Sequence, residues 1–319
     1  MRRKPAIAIA VDDVDGDGNA DLVTANFLDN NISVLLGDGT GGFAPPATFT
    51  VGSGPDPALV AAGSGNGPVS VAVGDFDGDG NTDLVTTNDE GDSNVSVLLG
   101  DGAGGFDPQL TFSVSGYPGS VVVGDFDGDG NADLVTNNGF FIDEVSVLLG
   151  DGTGGFAPPA AFAAGNTPSF IATGDFDGDG NADLVTTNRF SDTVSVLLGN
   201  GSGGFAPPAT FALAGSSNSV IAGGVISVTV GDFDGDGNAD LVTTDTVDNT
   251  VSVLLGDGSG AFAPPATFAV GDSPRSVAVG DFNEDGDLDL ATANFLDGIL
   301  HQVIDRIRGQ LSKRSIVGC

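Results

Sequence analysis

The sequence predicts an all-β fold: a β-propeller of four-stranded antiparallel blades, with six or seven blade positions and an incomplete last one. Three observations predict it. Two phrases recur at roughly fifty-residue spacing, each unit divides into short β-rich runs, and glycine and aspartate punctuate every run. Fixed-period self-similarity is the signature of repeat architectures. Four strands per unit match a propeller blade, in which radial repetition leaves few open edges. An open solenoid is the structural alternative.

The first phrase occurs six times: DVDGDGNAD (13–21), DFDGDGNTD (75–83), DFDGDGNAD (125–133, 175–183 and 232–240) and DFNEDGDLD (281–289). The second occurs five times: ISVLLGDGTGGF (32–43), VSVLLGDGAGGF (95–106), VSVLLGDGTGGF (145–156), VSVLLGNGSGGF (194–205) and VSVLLGDGSGAF (251–262). The sixth unit lacks it. The third unit shows the order of elements. Ser120–Gly124 is a first strand, the Asp-rich loop follows, and Leu134–Asn137 is a second strand. A variable loop at 138–144 leads to a third strand, Val145–Leu149, then a Gly-rich turn at 150–155 and a fourth strand from Phe156 to Phe162. Valine and isoleucine enrichment and lengths of four to seven residues favour strands over helices. The units fall near 6–60, 69–114, 119–165, 168–215, 225–270 and 275–295, so that 1–295 forms the repeat domain and 296–319 an atypical tail.

Charge narrows the function. The chain of 319 residues carries 44 Asp and Glu against nine Lys and Arg, a formal net charge of −35. Seven of the cations are Arg2, Arg3, Lys4, Arg306, Arg308, Lys313 and Arg314, leaving only Arg189 and Arg275 between them. Such a body repels nucleic acid, which demands the opposite sign. The regular Val/Leu/Phe pattern argues against disorder. No apolar run exceeds five to seven residues, far from the ~20 needed to cross a membrane. The single cysteine, Cys319, excludes a disulfide framework. The opening Met-Arg-Arg-Lys leads into Ala6–Val11, too short an apolar stretch for a signal peptide before Asp12 and Asp13, and is read as the first strand.

Divalent cations are the natural source of neutralisation. In the second unit, positions 1, 3, 5, 7 and 9 of the first phrase are Asp75, Asp77, Asp79, Asn81 and Asp83. Four carboxylates within nine residues repel one another unless a cation sits among them. Hard oxygen donors in this number suit Ca²⁺ better than zinc or copper, and Mg²⁺ keeps more water. Glycine at position 6 lets the chain turn around the ion, and position 7 is read as a backbone carbonyl donor. The equivalent sets are Asp13, Asp15, Asp17, Asn19 and Asp21; Asp125, Asp127, Asp129, Asn131 and Asp133; Asp175, Asp177, Asp179, Asn181 and Asp183; and Asp232, Asp234, Asp236, Asn238 and Asp240. The sixth, Asp281, Asn283, Asp285, Asp287 and Asp289, is the weakest, with Asn283 and Glu284 departing from the pattern and Asp287 partly compensating. Five or six ions are expected. An EF-hand would end in Glu at position 12 between helices, whereas threonine stands there in every unit, from Thr24 to Thr292. Nonapeptide calcium repeats recur every nine residues, which does not fit either.

The phrase D-F-D-G-D-G-x-x-D-L, preceded by a V-x-V-G strand and followed by V-S-V-L-L-G and G-G-F, resembles the FG-GAP/VCBS repeat family. Similar loops occur in the propeller of integrin α chains. The resemblance covers about residues 6–295 and implies Ca²⁺ held by positions 1, 3, 5, 7 and 9. It also implies an extracellular or cell-surface setting, in adhesion or ligand recognition. The integrin fold has seven blades, where this chain has five complete units and a partial one.

Antiparallel strands sort the loops onto two faces. The Asp-rich loop and the Gly-rich turn share one, nearly constant between copies. The loops between second and third strands share the other with the inter-blade connections and carry the variation, including the long stretches 52–68 and 213–224. Function commonly sits on such loops, so Phe140, Phe141, Arg189 and Phe190 are the candidate ligand-binding residues, with Phe27, Tyr117 and Arg275 nearby in pattern. The ligand is an unidentified protein or glycan. Repeating phenylalanines such as Phe106, Phe112 and Phe126 read as core between blades. In the tail, Ile299, Leu300, Val303, Ile304, Ile307 and Leu311 fall at helical spacing and predict a short amphipathic helix, or an end foreign to the repeat.

The leading reading is therefore a calcium-binding, non-catalytic adhesion or recognition module. The alternatives are a lectin-type propeller and a structural spacer within a larger multidomain surface protein. An enzyme fits poorly: the body holds no histidine and no cysteine, and its carboxylates are committed to metal.

Overall fold

The computed structural model describes residues 6–52, 67–88, 93–139, 142–213, 225–295 and 299–304. Each repeat folds into its own antiparallel sheet, in chain order. The first holds β1 (Ala6–Asp12), β2 (Asp21–Asn26), β3 (Asn31–Leu35) and β4 (Ala47–Thr50). The second holds β5 (Pro68–Gly74), β6 (Asp83–Asn88), β7 (Asn94–Leu98) and β8 (Leu110–Ser113). The third holds β9 (Val121–Gly124), β10 (Asp133–Asn137), β11 (Glu144–Leu148) and β12 (Ala160–Ala163). The fourth has β13 (Pro168–Gly174), β14 (Asp183–Asn188), β15 (Thr193–Leu197) and β16 (Ala209–Ala212). The fifth has β17 (Val225–Gly231), β18 (Asp240–Asp245), β19 (Thr250–Leu254) and β20 (Ala266–Ala269). The sixth has three strands, β21 (Pro274–Gly280), β22 (Asp289–Asn294) and β23 (Ile299–Ile304). There is no helix among the described residues.

The last strand corrects the helical expectation for the tail. Ile299 pairs with Asn294, Leu300 with Ala293 and Ile304 with Leu290, so an available edge on β22 overrides a spacing that also suits a helix. Residues 305–319, and with them Ile307 and Leu311, lie outside the described residues. The reading of Ala6–Val11 as a first strand holds.

The chain divides into two compact units, Met1–Phe162 and Ala163–Cys319. Within each, apolar side chains meet between successive sheets. In the first unit, Val23, Ile32 and Val34 of sheet one bury against Val71, Leu84 and Leu98 of sheet two. Phe76, Val85 and Val97 of sheet two then meet Val121, Leu134 and Leu148 of sheet three. The second unit repeats this. Phe176, Val185 and Val196 meet Val228, Leu241 and Leu254, and Phe233, Val242 and Val253 meet Val277 and Leu290. The middle sheet of each unit thus has a leading face, turned to the sheet before it, and a trailing face, turned to the sheet after it. In sheets two to five the second and third strands are buried on both faces, which explains their runs of Leu, Val and Thr instead of strict alternation. Each buried Leu or Val contributes about 1.5–3 kcal/mol.

The repeating phenylalanines lie in these interfaces as expected. Phe106 stacks edge-on to Phe49 at 5.1 Å, and Phe156 does so to both Phe76 (5.8 Å) and Phe112 (5.1 Å). The second unit repeats the trio with Phe262 against Phe176 and Phe211.

Candidate metal centre

The Asp-rich loop closes the hairpin between the first two strands of each sheet. The residue before position 1 pairs with position 9: Gly74 with Asp83, Gly174 with Asp183 and Gly231 with Asp240. Between them the carboxylates organise the backbone. In the second loop Asp75 accepts the N–H groups of Gly78 (2.8 Å) and Gly80 (3.0 Å). Asp77 accepts from Asp79 (3.2 Å), and Asp79 from the backbone of Asn81 (2.8 Å) and its side-chain amide (2.7 Å). The same pattern recurs around Asp125 and Asp175.

Position 9 differs from the others in being fully buried. One oxygen of Asp83 accepts the Phe76 N–H at 2.7 Å, and the other accepts the Gly100 N–H of the Gly-rich turn, also at 2.7 Å. Asp21, Asp133, Asp183 and Asp240 do the same with Val14 and Gly37, Phe126 and Gly150, Phe176 and Gly199, and Phe233 and Gly256. This single side chain locks the Asp-rich loop to the Gly-rich turn and confirms that the two share one end of the blade. Sequence reasoning placed it among ligands and missed this bridging role. The signal was present, because the two phrases accompany each other in five units and the sixth lacks the second.

The Gly-rich turn carries its own aspartate, which organises the backbone of that turn. One oxygen of Asp101 accepts from Ala103 and Gly105, both at 2.9 Å. Asn200 reproduces this geometry with its amide oxygen, accepting from Ser202 (2.9 Å) and Gly204 (3.0 Å). The turn therefore requires an acceptor, not a charge. These backbone N–H groups hold Asp101 below the usual carboxylate range, and the hydroxyls of Thr40, Thr153 and Ser259, with similar backbone donors, do so for Asp38, Asp151 and Asp257. The neighbouring glycine is required for space: a Cβ on Gly102 would stand 2.3 Å from the Asn81 side-chain oxygen.

The donor set fits a hard divalent cation. In loops two to five, one carboxylate oxygen from each of positions 1, 3 and 9 lies within 4.8 Å of the other two: Asp75, Asp77 and Asp83; Asp125, Asp127 and Asp133; Asp175, Asp177 and Asp183; Asp232, Asp234 and Asp240. Oxygens so spaced can share one ion at the Ca²⁺–O distance of about 2.3–2.6 Å. Loop one gathers Asp13, Asp15 and Asp17 instead. Burial pushes the carboxyls of Asp83, Asp133 and Asp183 up, and that of Asp240 up to about 6; nearby aspartates add to the rise and the two backbone N–H donors oppose it. A cation beside these groups would restore their charged form.

The sixth loop retains the backbone frame without a gathered trio of carboxylates. Asp281 accepts from Asp285 (3.0 Å) and Gly286 (2.8 Å), and Asp289 accepts from Phe282 (3.0 Å). Asn283 replaces the carboxylate of position 3, and no group of three carboxylates gathers here among the described residues. Glu284 adopts φ +61° where the second and fifth loops have Gly78 and Gly235 at +75° and +74°. The second oxygen of buried Asp289 has no partner among the described residues. Its glycine donor belongs to the phrase that this unit lacks.

Of the candidate ligand-binding residues, Phe140 and Phe141 lie outside the described residues. Arg189 and Phe190 follow β14 on the opposite end of the blade, with the guanidinium 5.8 Å from the ring centroid. A closer pair, Arg275 over Phe295 at 4.1 Å, was only half anticipated, since Phe295 lay at the edge of the repeat pattern.

An FG-GAP-like repeat model matches residues 13–86, 75–136, 143–186, 178–243 and 232–292. No curated protein matches the chain in sequence. Among solved structures, the chain is similar to BP39L lectin from Burkholderia pseudomallei, with 18% identity, TM-score 0.67, and coverage of 92% of this chain and 80% of that one. It is also similar to a lectin from Agrocybe aegerita that recognises non-reducing terminal N-acetylglucosamine (21% identity, TM-score 0.59, 92% and 78% covered). A virginiamycin B lyase from Staphylococcus aureus matches at 13% identity and TM-score 0.57, with 93% and 80% covered. Lectins and a lyase share this fold, so the likeness establishes the β-propeller class and no activity.

Proposed function

The chain belongs to the FG-GAP-like repeat family, and from that premise we propose that it is a calcium-binding, non-catalytic module for ligand recognition or adhesion outside the cell or at its surface. The observation that carries the proposal is the convergence of three carboxylate oxygens in each of loops two to five. Positions 1, 3 and 9 supply oxygens from side chains already fixed by backbone N–H groups, so little ordering is left for the ion to impose. Bound calcium would supply the positive charge that these buried and crowded carboxylates lack. Because position 9 also holds the Gly-rich turn, occupancy would stiffen both connections at that end of the blade. The opposite end would present Arg189 and Phe190 to a protein or glycan ligand.

The non-catalytic part rests on composition: residues 6–295 hold no histidine and no cysteine, and their clustered carboxylates are occupied with backbone donors. Calorimetric titration of the metal-free protein with Ca²⁺ tests the reading. Five ions are expected at the gathered loops, with a weaker sixth, and the melting temperature should rise with them, since binding to the native state alone adds about 2.7 kcal/mol per site at a hundredfold excess over Kd. A melting curve unchanged by chelation would refute it.

A glycan as ligand has its own support. Equivalent clefts open between sheets two and three, beside Asp75, Asp125 and Gly152, and between sheets four and five, beside Asp175, Asp232 and Gly258. Thr82 stands where these clefts have Ala132 and Ala239, and its hydroxyl instead reaches Asp12 and Asp13. A glycan array, repeated with Ala132→Thr and Ala239→Thr, separates this reading from protein recognition at Arg189 and Phe190.

A further inference from the structure

Within each unit the backbone ties the Asp-rich loop of one sheet to that of the next. In the first unit Phe76 stands at the junction. Its N–H donates to Asp83, the buried position-9 carboxylate of the second loop, at 2.7 Å. Its carbonyl accepts the N–H of Gly154, in the Gly-rich turn of the third sheet, at 2.9 Å. That turn is closed on itself: Gly150 bridges Phe156, and the Asp151 N–H reaches the Gly155 carbonyl at 3.0 Å. From the same turn the Gly150 N–H holds Asp133, position 9 of the third loop, at 2.7 Å. The contacts therefore run from one gathered trio of carboxylates to the next, through Asp83, Phe76, the turn and Asp133.

The second unit repeats this relay. Phe176 donates its N–H to Asp183 and accepts that of Gly260, both at 2.8 Å. Gly256 bridges Phe262 and donates to Asp240 at 2.7 Å. Side chains reinforce both junctions, because Phe76 lies edge-on to Phe156 and Phe176 to Phe262. The backbones are also close. A Cβ on Gly78 would stand 3.6 Å from the Gly152 carbonyl oxygen, and one on Gly178 would stand 3.7 Å from that of Gly258.

Resting on the calcium reading above, we propose that the second and third sites are coupled, as are the fourth and fifth, so that an ion at one raises the affinity of its neighbour. An ion on Asp75, Asp77 and Asp83 fixes the position-9 carboxylate and with it the Phe76 backbone. The turn of the third sheet is then held at Gly154 before its own ion arrives, and Asp133 is presented with less ordering left to do. Order imposed by the first ion need not be imposed again by the second, which gives positive cooperativity without a change of fold. Such coupling is reciprocal: each site changes the other's affinity by the same factor. About fivefold is expected, the low end for coupled sites. Filling one site also weakens the negative field at the next, an opposing effect that salt screens.

The test is a Ca²⁺ titration of the isotope-labelled full chain at raised ionic strength, followed by amide NMR. The position-6 glycines report each site separately, since Gly80, Gly130, Gly180 and Gly237 each donate to their position-1 carboxylate. Asp77→Asn places at position 3 the residue that the sixth loop carries there as Asn283. It should weaken the third site about fivefold, and Asp127→Asn should weaken the second by the same factor. Asp177→Asn should do likewise to the fifth site. Gly154→Ala, whose Cβ would stand 3.0 Å from the Leu99 side chain, moves the turn off Phe76 without touching a carboxylate. In that background the factor should fall below about twofold. Phe156→Leu, which removes only the ring contact, should lower it too and serves if Gly154→Ala lowers the melting temperature. Neighbouring sites that keep or gain affinity when Asp77 or Asp127 is replaced overturn the coupling and leave the calcium reading intact. A factor unmoved by both relay variants overturns it as well. Glycine amides that do not respond to Ca²⁺ at all overturn both readings together.

Discussion

The fifth and sixth Asp-rich loops are neighbours in one unit and share a backbone frame, yet only the fifth gathers three carboxylates. Asp240 and Asp289 hold the same register position, opposite Gly231 and Gly280, and both are fully buried. Asp240 has both oxygens engaged, by Phe233 at 2.8 Å and Gly256 at 2.7 Å. Asp289 has one, with Phe282 at 3.0 Å. The difference shows that the site is built across the blade. A loop of nine residues supplies the donors, but the turn after the third strand holds position 9 in place.

Removing position 9 should expose this contrast most strongly. Asp240→Ala strands two backbone N–H donors and should cost roughly 2–6 kcal/mol, against roughly 1–3 kcal/mol for Asp289→Ala, at about 1–3 kcal/mol per orphaned group. Denaturant melts of both variants without metal measure the gap, and equal losses would deny the bridging role. Next in size is a dependence on pH. The Asp240 carboxyl is pushed up to about 6 from an ordinary 3.8, so between those values the native state binds more protons than the unfolded one. Metal-free stability should therefore fall as pH rises through that window, by of order 1–3 kcal/mol. Asp240→Asn should flatten the fall, and so should saturating Ca²⁺; a profile rising over the same range would contradict it.

Asn283→Asp asks whether the sixth loop lacks only the carboxylate at position 3. It should tighten the weakest calcium step by about tenfold, or about 1.4 kcal/mol, in a calorimetric titration. No change would mean that the missing turn matters more than the missing carboxylate. The smallest effect belongs to Glu284→Gly. Relief of the left-handed backbone is offset by a more flexible unfolded chain, so a gain below about 1 kcal/mol is expected in thermal melts.

Much of this was legible in the sequence because the repeats provide six versions of the same statement. The strands, the order of loops and turns, the buried phenylalanines and the Asp-rich loops all follow from patterns that act locally. Three features did not. The bridging of Asp83 to Gly100 joins positions 17 residues apart, and spacing alone does not distinguish such a carboxylate from a metal donor. Residues Ile299 to Ile304 carry a helical spacing and form a strand because β22 offers them an edge. Ile9 and Phe282 are exposed where their counterparts Val71 and Phe76 are buried, and residue type does not tell the two situations apart.

Asn200 in the fourth Gly-rich turn carries a lesson about inheritance. It shows that one unit tolerates a change of charge, so long as an oxygen still meets Ser202 and Gly204. Partners that must match, such as Asp133 with Gly150 and Asp183 with Gly199, lie within single units and are interchangeable between them. A crossover between misaligned copies would thus reunite compatible halves. A gene of this kind can gain or lose a whole unit in one step while every hydrogen bond within a blade finds its counterpart.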